Sequence, residues 1–256
     1  MRPAHRELEP ASDAVEVDCS AVRIALQEHV ARARDAEDSR AVHGLRVACA
    51  RLDVFLRLGR RRALRDDLRW LRRSASNLRD LDVLLESSAA GELDAQTVSS
   101  LSTERTAARA AFLEVLASER CEALLDALAN VPSVSAQRAR APLERLAERV
   151  RRRGEQLLDA PAEFERHHAL RRALRRLRYA REWLGMDCTA IRALQDSLGA
   201  LNDALVRETW ISRVERPASS ALASATSDSS SLVQSLSAGA LHAWRATRRE
   251  ILELPA

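Results

Sequence analysis

One pattern occurs twice in this chain and restricts its fold more than any composition figure. His43-Gly-Leu-Arg46 followed by Arg51-Leu52 is matched by His168-Ala-Leu-Arg171 followed by Arg176-Leu177, the same H-x-L-R-x4-R-L string. After one further turn signal, each copy leads into a comparable segment: WLRRSASNLRDLDVLL from Trp70 and ALQDSLGALNDALV from Ala193, in which Asp80 and Asp203 correspond. Chance supplies one such string easily. A second copy at the matching place in the helix order points to a duplicated unit, and paired antiparallel helices joined by short loops fit its length.

Helical periodicity, with breakers at Gly59, Gly91, Pro132, Pro161, Gly185 and Pro217, predicts about eight helices. They fall near 14–36, 39–58, 61–88, 97–130, 137–158, 163–184, 188–215 and 219–252, four on each side of the linker NVPSVSAQ. The Ser-rich stretch 219–237 is the weakest helix former among them. The expected fold is all-α: a tail at 1–13, then a single domain over 14–256. Its pseudo-symmetric four-helix halves, 14–130 and 137–252, are expected to surround a basic central groove. Composition agrees, because 3% aromatic residues and seven glycines among abundant Ala, Leu, Arg and Glu favour helix over sheet.

Several functional classes lack their signatures. No run approaches the roughly 18 apolar residues of a membrane span, and MRPAHRELEPASD has no signal-peptide core, so a cytoplasmic protein without a membrane partner is expected. Cys19, Cys49, Cys121 and Cys188 form no C-x-x-C pair and read as buried reduced thiols. There is no H-E-x-x-H and no phosphate-binding G-x-x-x-x-G-K-[ST]; no metal, cofactor or catalytic residue is expected.

Net charge is only +4, but all 41 basic residues are arginine. Genome composition explains that bias as well as function does, so position matters more than number. Guanidinium is always charged and can grip a phosphate with two parallel hydrogen bonds.

At about 100° per residue, Arg171, Arg172, Arg175, Arg176, Arg178 and Tyr179 fall within about 80° of His168, with Leu170, Ala173, Leu174, Leu177 and Leu184 opposite. From Arg166 to Arg181 the helix carries no acid. In the first copy His43, Arg46 and Arg57 form one stripe, with Arg51 on its flank and Leu45, Leu52 and Phe55 behind; Arg72, in the segment that follows, completes the candidate set. The plain structural alternative is a solvated arginine face, or one paired with acids of a neighbouring helix. Two packed halves that bring both stripes to one groove would suit a chain of phosphates.

Both histidines stand near a helix N-terminus, where the dipole favours anions, although a core or capping role accounts for them equally well. Asp80, Asp82 and Asp203 read as structural partners of arginines across helices. The four tryptophans occupy single apolar positions and read as core, which leaves no aromatic platform for bases and disfavours nucleic acid.

VHGLRVACARLDVFL with WLRRSASNLRDLDVLL, then HHALRRALRRLRYAREWL with ALQDSLGALNDALV, resemble the CHAD family, the conserved histidine α-helical domain. The resemblance runs from about residue 15 to 250. It implies a domain that binds inorganic polyphosphate through two helical bundles around a basic cavity, with association with polyphosphate granules as a further expectation. The CYTH-type triphosphate-processing domain often fused to such domains is not expected in this chain. The family's histidines fall on His43 and His168, and its basic positions on Arg46, Arg51, Arg171, Arg175, Arg176 and Arg178. The first copy departs from the pattern at Ala50 and Asp53, where the helix is commonly basic, which implies weaker binding by the first half.

Two other functions compete with non-enzymatic binding. One is a phosphate-processing enzyme using His43 or His168, which would need metal-binding carboxylates that the arginine face lacks. The other is a basic scaffold for nucleic acid or an acidic protein.

Overall fold

A computed structural model describes residues 16–35, 38–88, 95–214 and 220–254. The expected tail at 1–13 and the breakers Gly91 and Pro217 lie outside the described residues. The described chain is almost wholly helical and divides into two compact units, meeting in sequence between Ala139 and Arg140.

The first unit holds β1 (Glu16–Val17), α1 (Ser20–Asp35), α2 (Ser39–Leu58), α3 (Arg65–Ser74), α4 (Ser76–Ser88), α5 (Ala95–Leu116), α6 (Glu119–Ala129) and β2 (Val134–Ser135). The two short strands pair antiparallel, Glu16 opposite Ser135 and Val17 opposite Val134. That pairing takes the chain out of helix where a start near 14 was expected; α1 begins at Ser20, whose N–H donates to the Asp18 carboxylate at 2.7 Å.

Helix α2 sits in the middle of the unit's packing, against α1 on one side and α3 and α4 on the other. Its apolar residues explain the position: Leu45, Leu52, Phe55, Leu56 and Leu58 are at most 1% exposed, so nearly all of their area leaves water. Asp38 caps α2 by accepting from the N–H groups of Arg40 and Ala41 at 2.9 and 3.1 Å. Gly59 ends it, and the turn that follows puts Arg60 and Leu64 in left-handed backbone, at φ 55° and 64°.

Two of the expected helices are each broken in two, which makes ten helices among the described residues rather than eight. The segment 61–88 breaks at Ala75. Ser74 Oγ donates to the carbonyls of Trp70 and Leu71, and Ser76 Oγ to that of Arg72, side-chain bonds that compete with the helical ladder and bend it. The segment 97–130 breaks at Ser118, whose hydroxyl accepts from the N–H of Cys121 and starts α6.

The second unit is built from α7 (Ala136–Asp159), of which residues 136–139 belong to the first, with α8 (Phe164–Trp183), α9 (Thr189–Val214) and α10 (Ser220–Leu252). Helix α9 packs on both α8 and α10. Despite its serines, the last segment is helical from Ser220. Leu170, Leu174, Leu177, Ile191, Leu194 and Trp244 fill its core, each at most 1% exposed. All four cysteines are buried and free, as expected. The tryptophans differ from expectation: Trp244 is core, but Trp70 and Trp183 are half-buried, and the side chain of Trp210 lies outside the described residues. Trp70 is kept at the surface by the Arg120 guanidinium, 4.3 Å above its ring.

Candidate anion-binding faces

His43 and His168 are each the fifth residue of their helix and both are exposed, whereas the core beneath them is leucine. On α2 the residue one turn on, Arg46, leans over the break between α3 and α4. Its Nη1 donates to the Ala75 carbonyl at 3.3 Å, an oxygen that also receives the backbone N–H of Arg79 at 3.2 Å. Arg72 and Arg79 both lie close enough to lower the pKa of Arg46, after the larger effect of burial, while Asp80 opposes them. Around the break at Ala75, arginines from three helices thus lie within electrostatic reach of Arg46.

His43 lines a cavity of about 490 Å³ with Ser39, Arg40, Arg79 and Glu86. Glu86 accepts from Ser39 Oγ at 2.9 Å and from Arg79 at 3.4 Å, so one acid faces three basic side chains there. The pKa of His43 is lowered, first by loss of solvent at the cavity wall and then by Arg79, Arg46 and His29, with Glu86 opposing. An anion entering the cavity would meet a neutral imidazole at pH 7 and cations on both sides of it.

Not every residue of the first candidate set reaches this cluster. Arg57, on the same stripe, stands fourteen residues along α2 from His43 and therefore about 21 Å away along the axis. Arg51 is about 140° round the helix from Arg46. Asp53, the departure noted in the sequence, holds Arg65 at 2.9 Å and Arg69 at 3.6 Å and so fastens α2 to α3. Asp82 is structural as expected: it is 3% exposed and takes Arg105 Nε at 2.7 Å. The α2 N-terminus offers an anion little, because the Asp38 carboxylate already occupies its N–H groups.

On α8, Arg172 is exposed and Arg171, Arg175 and Arg176 are half-buried on the His168 side. Arg171 reaches α9, its Nη2 lying 3.8 Å from where a Cβ on Gly199 would stand. Two expectations about this face need correction. Tyr179 is core, 4% exposed, because the stripe turns inward near the end of the helix. The acid-free run ends one residue too early to describe the face: Glu182 follows Arg181, lies 3.7 Å from Arg178 and bonds Arg192 at 3.1 Å. Arg178 is accordingly held on the flank between Glu182 and the Tyr179 ring, 5.1 Å from its centroid. Two further arginines also leave the face. Arg166 pairs with Glu163 at 2.7 Å, and Arg181, 6% exposed, donates to the carbonyls of Asp187, Ile251 and Glu253.

The doubled histidine is resolved by burial. His167, 3% exposed, donates from Nε2 to the Pro161 carbonyl at 3.0 Å and meets Ser237 Oγ at 3.1 Å, which ties the start of α8 to α10. Since a carbonyl only accepts, Nε2 carries the proton. Burial lowers its pKa, opposed by that same bond. His168 is the member of the pair left at the surface.

Sequence reasoning missed Arg79 and Arg40. In the repeat correspondence Asp80 matches Asp203, so Arg79 matches Asn202 and Arg72 matches Gln195, while Ala50 and Asp53 match Arg175 and Arg178. The two copies therefore place their cations differently. The second concentrates them on the histidine helix, and the first spreads them over α2, α3 and α4.

These features define an all-helical protein whose two units each present a histidine helix flanked by arginines. Residues 20–212 match the CHAD domain, three quarters of the chain, and the protein belongs to the CHAD domain family. Its fold is similar to that of the CHAD domain from the plant Ricinus communis, with a TM-score of 0.62 at 21% identity over 98% of this chain and 96% of that one. It is also similar to PptA from Streptomyces chartreusis, with a TM-score of 0.53 at 20% identity over 92% of this chain and 98% of that one. No curated protein matches the chain.

Proposed function

We propose that this protein binds inorganic polyphosphate without chemically changing it, through the arginine faces around His43 and His168. The observation that carries the reading is the grouping of Arg46, Arg72 and Arg79, from three helices, within electrostatic reach of Arg46, with Arg79 lining the His43 cavity. Gathering cations whose charges oppose one another costs free energy that an ordinary surface avoids, and a polyanion offsets it. A linear chain of phosphates suits this arrangement better than one phosphate, because separate guanidinium groups can each take a different phosphoryl unit. Membership of the CHAD family supports the same ligand.

Binding rather than turnover is favoured by the carboxylates that are present. Asp53, Asp82, Glu163 and Glu182 are each paired with arginine, and among the described residues no cluster of His, Cys, Asp and Glu is arranged to hold a metal ion. Among the described residues no helix is long and apolar enough to cross a membrane. A place on polyphosphate granules in the cytoplasm follows from the proposed ligand.

Titration with polyphosphates of defined length and with orthophosphate, at one ionic strength, tests the reading. Affinity per molecule should rise steeply with chain length, and equal affinity for orthophosphate and the long chain would overturn it. Release of orthophosphate that follows the purified protein and is lost on replacing His43 or His168 would favour an enzyme instead.

A further inference from the structure

A second arginine-lined cavity lies between α7 and the end of α10. It has a volume of about 260 Å³ and is lined by Arg151, Glu155, Trp244, Arg248, Arg249 and Leu252. Its wall is made possible by Gly154: a Cβ there would stand 1.8 Å from Cζ2 and 2.1 Å from Cε2 of Trp244, so only glycine lets the indole lie against the α7 backbone. The indole is 1% exposed, yet its Nε1 donor has no hydrogen-bond acceptor. Buried N–H groups are nearly always paired, and one left unmet beside a cavity marks where an acceptor belongs.

The charges around this donor point to the kind of acceptor. Arg151 is already engaged, bonded to Glu148 at 2.6 Å and to Glu155, which hold its guanidinium charged. Arg248 and Arg249 are exposed and make no ion pair among the described residues. Arg249 complements the dipole in the last turn of α10, which accounts for its charge but neither for the cavity nor for the unmet indole N–H. Counting Arg151, Glu155, Arg248 and Arg249, cations outnumber acids. Two guanidinium forks and one indole N–H, all carried by α10 but set at different angles around its axis, suit oxygens pointing in several directions, as in a tetrahedral phosphoryl group, better than a planar carboxylate.

We infer that this cavity is a second anion site, taking a single phosphoryl group as free phosphate or as the end of a short phosphate chain, with Arg248, Arg249 and Trp244 Nε1 as its donors. It does not depend on the histidine faces binding polyphosphate.

The test follows the indole N–H resonances of the full chain during titration with orthophosphate and, separately, with tripolyphosphate. Trp244→Phe identifies the Trp244 signal by its loss; should that variant not fold, replacing Trp70, Trp183 and Trp210 by Phe leaves Trp244 as the remaining signal. The signal should move downfield and saturate with one or both ions, and Arg248→Ala with Arg249→Ala should weaken that response at least tenfold. Whichever ion saturates it at lower concentration identifies the source, free phosphate or chain end. The same response should persist when Arg46, Arg79, Arg171 and Arg175 are all replaced by Ala, so loss of long-chain binding in that variant is read separately. A Trp244 signal unmoved by both ions, or one that moves equally without Arg248 and Arg249, would overturn the site.

Discussion

Arg46 and Arg79 share one acceptor, the carbonyl of Ala75, although they stand on helices separated by the whole of α3. The guanidinium of the first and the backbone of the second are thereby locked to the same joint. Arg79→Ala should leave the joint intact, since it removes only the side chain, while taking one cation from the His43 cavity. Affinity for long-chain polyphosphate should fall by a factor of about 2 to 10, the range of one partly solvated charged hydrogen bond. Arg62→Ala, in the exposed turn before α3, removes the same charge and should change affinity less, as fluorescence titration will show.

The depressed pKa of His43 makes binding depend on pH, and the sign follows from charge. In the free protein the imidazole protonates only below its usual value of about 6.5; bound phosphates would raise that pKa, so binding takes up a proton. Polyphosphate affinity should strengthen as pH falls from 8 to 5, the rise ending once pH lies below the depressed free-state pKa of His43. His43→Gln should remove most of this slope while keeping the helix. A parent protein with a flat profile between pH 5 and 8 would contradict it.

His167 and His168 are neighbours with opposite roles. Removing the buried ring of His167 leaves the Pro161 carbonyl only the longer bond from Ser237 Oγ at 3.5 Å and opens a gap beside that serine, so His167→Ala should cost about 1–3 kcal/mol of stability. His168→Ala should change stability by no more than about 0.5 kcal/mol. Because the folded-state pKa of His167 is depressed, its contribution to stability is fully present above about 6.5 and is lost as pH falls below that towards its folded value. Urea denaturation at pH 7.5 and 5 should show a smaller drop in His167→Ala than in the parent.

The histidine helices were legible in the sequence almost to the residue, since α2 spans 39–58 and α8 spans 164–183, and both show strong helical periodicity with breakers at their ends. The breaks at Ala75 and Ser118 were not, because serine hydroxyls rather than Gly or Pro interrupt the ladder there, and serine is common inside helices that do not break. Missing the first break also hid Arg79. Within an unbroken helix over 61–88 nothing relates it to Arg46, and only the joint brings both to one carbonyl. On α8 a linear charge run cannot reveal that Glu182, one turn beyond Arg178, belongs to the same face.

Two glycines offer a contrast in packing. Gly154→Ala would gain about 1 kcal/mol of helix propensity in isolation, yet its Cβ would collide with the large ring of a buried Trp244. The variant should be net destabilised by about 1–3 kcal/mol. Gly44→Ala meets the His29 ring at 2.3 Å, a half-buried side chain able to rotate away, and the second copy carries Ala169 at the matching position. Its loss should be smaller, and thermal melts of the two variants check the order.

Arg171 and Arg175 lie one turn apart on the His168 side of α8, and Arg145 and Arg152 lie exposed on α7 in the same unit. Arg171→Ala with Arg175→Ala and Arg145→Ala with Arg152→Ala remove equal charge, so a ligand attracted only by net charge would not distinguish them. If the His168 face holds a phosphate chain, the first pair loses direct charge-assisted bonds and the second loses only distant, screened attraction. The first double variant should bind long-chain polyphosphate about ten to a hundred times more weakly, on the order of 1.4 kcal/mol for each tenfold step, and the second should stay within about threefold of the parent. Salt dependence gives an independent reading, since fewer displaced counterions should flatten the slope of log affinity against log salt in the first variant. Circular dichroism must show equal helicity, because relieving repulsion between arginines at i and i+4 stabilises α8 by a few tenths of a kcal/mol. Two equally helical variants with the same affinity and the same salt slope would remove the His168 face from the site and leave the His43 cluster as the place to look.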